Sequence, residues 1–279
     1  MKRAFMIMGL LLALAALPAL ALAATPAEVA GTLAANYKAG KAQPLPSTLI
    51  KGLDLRGGYE IQGLMTAALI KGGEKVVGYK AGLTSPPALK KFGAKGPVTG
   101  VMLGSMLHSG AKVGTKGYTR CMLEVEIGYK LAKDVTSDVT PADVKSYVAK
   151  IMPAVEVPDI PFKSMKGLVP ADLVAINVGA RGYILGKPVG PAKVDPNKVT
   201  GKLVYNGKDV GKAIPGRAAM GDQWKALAWT LNNARANGGL LKKGMFIITG
   251  SLGPLYPGKP GNYKAVYSGG LSDIAFTIK

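Results

Sequence analysis

The stretch "CMLEVEIGYKLAKDV", residues 121–135, sets two glutamates, Glu124 and Glu126, two positions apart in a largely apolar run. An extended strand has a side-chain period of two, so both carboxylates fall on one face while Leu123, Val125 and Ile127 point to the other. Two like charges side by side are unfavourable unless a cation lies between them or one carboxylate keeps a proton. The chain carries 36 Lys+Arg against 16 Asp+Glu, so the pairing of acids here stands out from the composition.

Outward from this run, short apolar or alternating segments bounded by Gly and Pro read as further strands: "KVVGYKAGL", "PAVEVPDI", "GMFIITGSL" and "YKAVYSGGLSDIAFTI", the last with a hairpin around Ser268-Gly269-Gly270. With 38 Gly and 19 Pro, tight turns must occupy much of the chain. Thr25-Pro26-Ala27-Glu28 and Thr140-Pro141-Ala142-Asp143 each combine an N-cap hydroxyl, a proline at the first helical position and an acid at the third, which predicts helices over 26–38 and 141–151. Apolar spacing adds helices over 58–71 and 85–92, and after Asp222 a stripe of Trp224, Leu227, Ala228, Leu231 and Ala234 ends at Gly238. No repeat or low-complexity linker divides the chain. The economical reading is one mixed α/β (α+β) domain over 24–279, dominated by sheet, with N-terminal helices packed on it.

The first residues bear on compartment. Lys2 and Arg3 precede the apolar run "AFMIMGLLLALAALPALALA", and Ala21-Leu22-Ala23 is a small-residue cleavage site, so residues 1–23 read as a secretory signal peptide. Its removal leaves no stable membrane anchor, and a Gram-negative periplasm is the expected location. The one cysteine, Cys121, cannot form an internal disulfide, so stability must come from the core. A formal charge of +20 suits anionic surfaces or acidic small molecules. Export and the lack of any nucleic-acid-binding motif argue against nucleic acid as a partner.

The chain has six glutamates, and three of them, Glu124, Glu126 and Glu156, fall within 33 residues in strand-like runs. A carboxylate buried there must be paired, hydrogen-bonded or metal-bound. Three carboxylates converging from two strands suit a hard divalent cation, Mg²⁺ or Mn²⁺. The competing reading pairs each glutamate with one of the many Lys or Arg residues. His108 is the one histidine, which argues against imidazole-based zinc and against a Ser-His-Asp hydrolase. "GSLGPL" lacks the glycine spacing of a phosphate loop.

Taken in order, "VVGYKAGLTSPPALKKFG", "EVEIGYKL", "PAVEVPD", "DLVAINVGARGYILG" and "LKKGMFIITGSLGPLYPGKPGNYKAVYSGGLSDIAFTI" resemble the 2-keto-4-pentenoate hydratase and 4-oxalocrotonate decarboxylase group of the fumarylacetoacetate hydrolase superfamily. The resemblance implies that superfamily's β-roll-like mixed sheet, a homo-oligomer, and a metal-dependent lyase acting on a small 2-oxo acid. It implies Glu124, Glu126 and Glu156 as metal ligands, Lys80 as the active-site lysine, and Thr249, Gly250 and Ser251 as a T-G turn beside the substrate. Three departures stand against it. "PVTG" at 97–100 has no acid where hydratases carry one, Ala175-Ile176-Asn177 replaces an Asp-Asn pair, and "PDIPF" lacks the arginine that follows the third ligand. They leave open a non-catalytic protein that binds a metal and a 2-oxo or dicarboxylic acid, and a surface-binding protein whose glutamates are salt-bridged.

Overall fold

A computed structural model describes residues 24–279; the expected signal peptide, residues 1–23, lies outside the described residues. Helix α1 (Pro26–Ala39) starts on a reciprocal cap, Thr25 accepting from the Glu28 amide and Glu28 from the Thr25 amide, and stops at Gly40 in the left-handed region. After the single turn α2 (Pro46–Leu49), α3 (Leu55–Lys71) begins three residues before the sequence-based start, because the Asp54 carboxylate caps the Gly57 amide. Strand β1 (Val76–Gly82) leads through the Ser85 cap into α4 (Pro86–Phe92), then β2 (Val98–Leu103), β3 (Lys112–Val113), β4 (Met122–Leu131) and β5 (Val148–Val157). The rest of the chain forms α5 (Pro170–Ala175), β6 (Gly182–Leu185), β7 (Thr200–Tyr205), β8 (Lys208–Asp209), β9 (Ile214–Pro215) and α6 (Gln223–Ala236). Strands β10 (Phe246–Ile248), β11 (Tyr256–Pro257), β12 (Gly261–Tyr267) and β13 (Ile274–Ile278) complete it.

The helix expected over 141–151 does not form. Its cap does: Thr140 Oγ1 donates to Asp143 and accepts the Asp143 amide. The turn it starts ends after one 3₁₀ turn, Val144–Tyr147, and Val148 begins β5. Val148, Ile151, Val155 and Val157 are buried in the core through sheet pairing, and that tertiary gain outweighs a local cap worth about 1 kcal/mol.

Two mixed sheets result. The first runs β2-β1-β10-β4-β5-β6, with β11 added to β4, and the second runs β3-β13-β12-β7-β8, with β9 on β7. In the first, β1 and β10 are parallel and their neighbours antiparallel. Leu123, Val125, Ile127 and Val155 on one face meet Leu203, Ala265 and Phe276 of the second sheet and Leu227 and Leu231 of α6 in a single apolar cluster. The opposite face of the first sheet, carrying Ala154 and Ile248, packs on Leu33, Ile61 and Met65 of α1 and α3. The period of two along β4 and β5 therefore turns their aliphatic residues to the inter-sheet core and their glutamates to the side covered by helices. No helix among the described residues is long and apolar enough to cross a membrane.

Tyr267 ties the sheets together beneath the glutamates. Its buried hydroxyl, on β12, lies 2.9 Å from the Glu126 carbonyl and 2.5 Å from the Ala154 carbonyl. A buried bond of this kind is costly to leave unmade, so Tyr267→Phe should destabilise the fold by about 1–3 kcal/mol in chemical denaturation. An unchanged midpoint and slope would mean that the bridge contributes nothing.

A carboxylate centre at the floor of a cavity

Antiparallel pairing of β4 with β5 puts Glu124 directly opposite Glu156, and Glu126 opposite Ala154. One carboxylate oxygen from each of the three glutamates lies within 4.8 Å of the others. Glu126 and Glu156 are 0% exposed, so bulk solvent does not reach them. Lys80 of β1, itself 2% exposed, brings Nζ to 2.5 Å from Glu156 Oε1 and to 3.1 Å from the Val178 carbonyl. The Gly250 amide donates to Glu126 Oε2 at 2.8 Å. These contacts leave Glu126 Oε1 and Glu156 Oε2 buried and unpartnered, together with Ser251 Oγ.

Two carboxylate oxygens left without a donor call for a cation or a proton, since the single ammonium serves one oxygen of Glu156. The donor set is all oxygen and carboxylate-rich, which suits Mg²⁺ or Mn²⁺ and not a soft metal. The salt-bridged alternative holds for Glu156 alone; no Lys or Arg pairs with Glu124 or Glu126 among the described residues.

The electrostatics follow from burial and crowding. Burial, with the neighbouring Glu156 charge, pushes the Glu124 carboxyl up to about 7, against partial relief from Lys80 and Lys91. Glu126 rises well above the ordinary carboxylate range through burial, Glu156 and Glu124. Burial also raises Glu156, outweighing its ammonium partner. For Lys80 burial pulls downward, but the three surrounding glutamates more than offset it, so the ammonium stays protonated at neutral pH.

Backbone geometry around the centre is constrained. Gly250 sits at φ +104°, where a Cβ would come within 2.0 Å of Thr84 Oγ1, so only glycine can aim this amide at Glu126. Val178, which offers its carbonyl to Lys80, is a β-branched residue at φ 53°, and Leu83 after β1 lies at φ 57°. Such residues cost of order 1–3 kcal/mol each and are held by their surroundings. The chain therefore fixes Lys80 from both ends of the site.

Above the centre lies a cavity of about 600 Å³. Lys80, Glu124, Gly250 and Ser251 line its polar floor, and Leu83, Phe92, Leu173, Ile176, Ile214 and Leu255 are among its apolar walls. Thr249 is not among its lining residues. Its hydroxyl donates to Gln223 Oε1 at 2.7 Å, in a buried network with Tyr129, a bond that anchors the turn.

No family model matches the chain. It is 32% identical over 212 residues, 74% of its length and 80% of the relative's, to a 2-hydroxyhexa-2,4-dienoate hydratase of Comamonas testosteroni. A 2-keto-4-pentenoate hydratase of Burkholderia vietnamiensis is 30% identical over 238 residues, 84% of this chain and 90% of the relative. The chain belongs to the 2-keto-4-pentenoate hydratase and 4-oxalocrotonate decarboxylase group. The fold of this group member also matches that of 4-oxalocrotonate decarboxylase from Pseudomonas putida G7, solved with magnesium and adipate, at a TM-score of 0.85 and 22% identity over 91% of this chain and 97% of that one. A fumarylpyruvate hydrolase from Pseudomonas aeruginosa, solved with Mn²⁺ and pyruvate, shares the wider fumarylacetoacetate hydrolase fold at a TM-score of 0.52 and 11% identity, over 72% of this chain and 88% of that one. The group's characterised functions make this hydratase and decarboxylase relative an enzyme of lyase type.

The departures from the group's pattern have physical counterparts. Val98 is buried at the end of β2, opposite Gly82. Ile176 forms apolar wall where an acid was expected, while the Asn177 side chain bonds both the amide and the carbonyl of Val101 and so acts as a strand partner. Asp159 of "PDIPF" accepts the amides of Thr119 and Arg120. Sequence reading missed Lys91, which lines the cavity, and the Val178 carbonyl, and it named Gly250 without its amide's bond to Glu126. The Val178 carbonyl is a backbone group with no residue signature, and Lys91 is one cation among 36 Lys+Arg.

The raised carboxyls predict proton–metal competition. Between the ordinary carboxylate value and about 7 the folded, metal-free protein binds more protons than the unfolded chain, so its stability falls as pH rises through that window. Loading Mg²⁺ must displace at least one proton, so calorimetry should find the apparent affinity dropping roughly tenfold per pH unit below about 7. An affinity that is flat across that range would contradict the assignment.

Proposed function

We propose that the protein is a Mg²⁺- or Mn²⁺-dependent lyase acting on a small 2-oxo acid, and that loss of CO₂ or tautomerisation is favoured over addition of water. The observation that carries this reading is the set of unpartnered buried oxygens on Glu126 and Glu156, beside Glu124 and Lys80 at the floor of the cavity. Glu124, Glu126 and Glu156 would hold the ion. When bound, a divalent ion supplies an electrophile for the carboxylate and keto oxygens of a 2-oxo acid and offsets the negative charge that develops there.

The chain's own residues do the rest. Glu156 and the Val178 carbonyl orient the Lys80 ammonium, which the surrounding carboxylates keep charged. When the carbon–carbon bond to a departing CO₂ breaks, its electron pair stays on the carbon skeleton, and Lys80 can return a proton there and regain one from water. Ser251 offers an unused buried hydroxyl to the substrate. Water addition needs a base to activate the water, and the cavity's remaining carboxylate, Asp159, already accepts two backbone amides. Val98 and Ile176 cannot substitute. The same deficit is what favours the non-catalytic reading, and turnover distinguishes them. The chain is further proposed to be exported to the periplasm on its first 23 residues and to assemble as a homo-oligomer.

A panel of 2-oxo acids and 2-hydroxydienoates, assayed with Mg²⁺ by absorbance and CO₂ release, tests this. Metal-dependent decarboxylation or tautomerisation is expected, with Lys80→Ala lowering kcat by about 10²–10⁴. Rapid hydration that survives Lys80→Ala would overturn it.

A further inference from the structure

The cavity accounts for little of the formal charge of +20, since Lys80 and Lys91 are the cations that line it. A group of other lysines gathers where β4 ends and where β5 and β10 begin. The register of β4 on β5 sets Lys130 directly opposite Lys150, both exposed. Like charges so placed repel, and no carboxylate among the described residues pairs with either. The Val135 amide donates to the Leu241 carbonyl and the Gly244 amide to the Leu131 carbonyl, which lays 241–244 along 131–135 and brings exposed Lys133 and Lys243 into the same strip. Lys133 sits over the Tyr147 ring, 4.1 Å from its centroid. Asp134, the one acid within 130–135, 147–150 and 240–245, is taken by Lys242 and by the Lys243 amide. Beside these lysines stands Leu240, which at 70% is the most exposed large apolar side chain among the described residues. Its carbonyl accepts the Tyr79 hydroxyl at 3.3 Å, and the Gly239 amide before it donates to the Ala234 carbonyl at 2.8 Å. An anchored backbone therefore holds the leucine out in water.

We propose that this end of the sheet is a reversible docking surface for an anionic phospholipid bilayer, with Lys130, Lys133, Lys150 and Lys243 against the headgroups and Leu240 between the acyl chains. A surface leucine alone, or lysines scattered singly, would need no explanation. Together on one anchored surface they supply what peripheral lipid binding requires, apolar area to insert and positive charge to attract. Other partners fit less well. Lysine is depleted in protein–protein interfaces. Single-stranded nucleic acid stacks its bases on open aromatic rings, and here Lys133 covers Tyr147. The carboxylate centre is set back from this surface, because Glu124 and Lys130 are six residues apart on β4, about 20 Å at the rise of a strand. Neutralising the lysines therefore leaves the glutamates untouched.

The test is co-sedimentation of residues 24–279, which carry the whole described fold, with vesicles of phosphatidylcholine alone and of phosphatidylcholine mixed equally with phosphatidylglycerol. Leaving out the apolar leader keeps it from binding lipid itself. Binding to the anionic vesicles alone is expected, and rising salt should weaken it. Lys130→Gln combined with Lys150→Gln should lower the partition about 25-fold, roughly fivefold for each lysine. Lys112→Gln combined with Lys116→Gln, an equal change of charge at exposed positions in and just after β3 of the second sheet, should leave it nearly unchanged. Leu240→Ser should weaken vesicle binding without changing retention on heparin, a soluble polyanion. All these side chains are exposed, so the variants are expected to fold, with thermal midpoints and Mg²⁺ calorimetry matching the wild type. No binding to the anionic vesicles would overturn the proposal. So would equal losses in the two lysine pairs, which would show diffuse charge in place of a surface. Full vesicle binding by Leu240→Ser, with heparin retention lost in Lys130→Gln/Lys150→Gln, would overturn it in favour of a soluble polyanion.

Discussion

Three carboxylates and one ammonium meet at the largely buried floor of the cavity, and most of the local structure answers to that imbalance. A buried charge must be matched or discharged. Lys80 matches one oxygen of Glu156 and the Gly250 amide one oxygen of Glu126, which leaves an oxygen on each glutamate with no donor. The strand pairing that sets Glu124 against Glu156 makes the imbalance unavoidable, because register fixes which side chains are neighbours. Proton uptake relieves it at low pH and a divalent cation relieves it at neutral pH. A fold that buried this arrangement with neither would be less stable than one with aliphatic residues at the same positions.

The surrounding backbone is shaped to keep the imbalance in place. Left-handed conformations at Leu83, Val178 and Gly250 are strained for the first two and require glycine for the third, and all three residues line the same cavity. They set the Lys80 strand end, the carbonyl that steadies its ammonium and the amide that faces Glu126. Tyr267 secures the floor from beneath by joining the second sheet to the carbonyls of Glu126 and Ala154. Strain above and a buried bridge below fix the glutamates, so they cannot relax apart into solvent.

Much of this was legible in the sequence, and for identifiable reasons. The period of two in "MLEVEI" gave the strand, its apolar face and its acidic face, because a half-buried strand needs nothing beyond that alternation. Helices α1 and α4 were readable from Thr25 and Ser85, whose side chains cap them, and α6 from its apolar stripe. The failure at 141–151 came from weighing a local cap above the demand of Val148 and Ile151 for sheet burial, a tertiary effect that no local pattern records. The bond of the Thr249 hydroxyl to Gln223, a residue 26 positions away in sequence, is likewise tertiary and left no local pattern. Lys91 carried no signal among so many lysines, and its placement depends on where α4 lies against the cavity.

The most direct test of the central claim is a crystal structure of the protein grown with Mn²⁺ and recorded at the manganese absorption edge. The account predicts a single anomalous peak bounded by Glu124, Glu126 and Glu156, with the oxygens Glu126 Oε1 and Glu156 Oε2 turned toward it. Absence of any peak there at saturating Mn²⁺, with Lys80 alone still paired to Glu156, would contradict it.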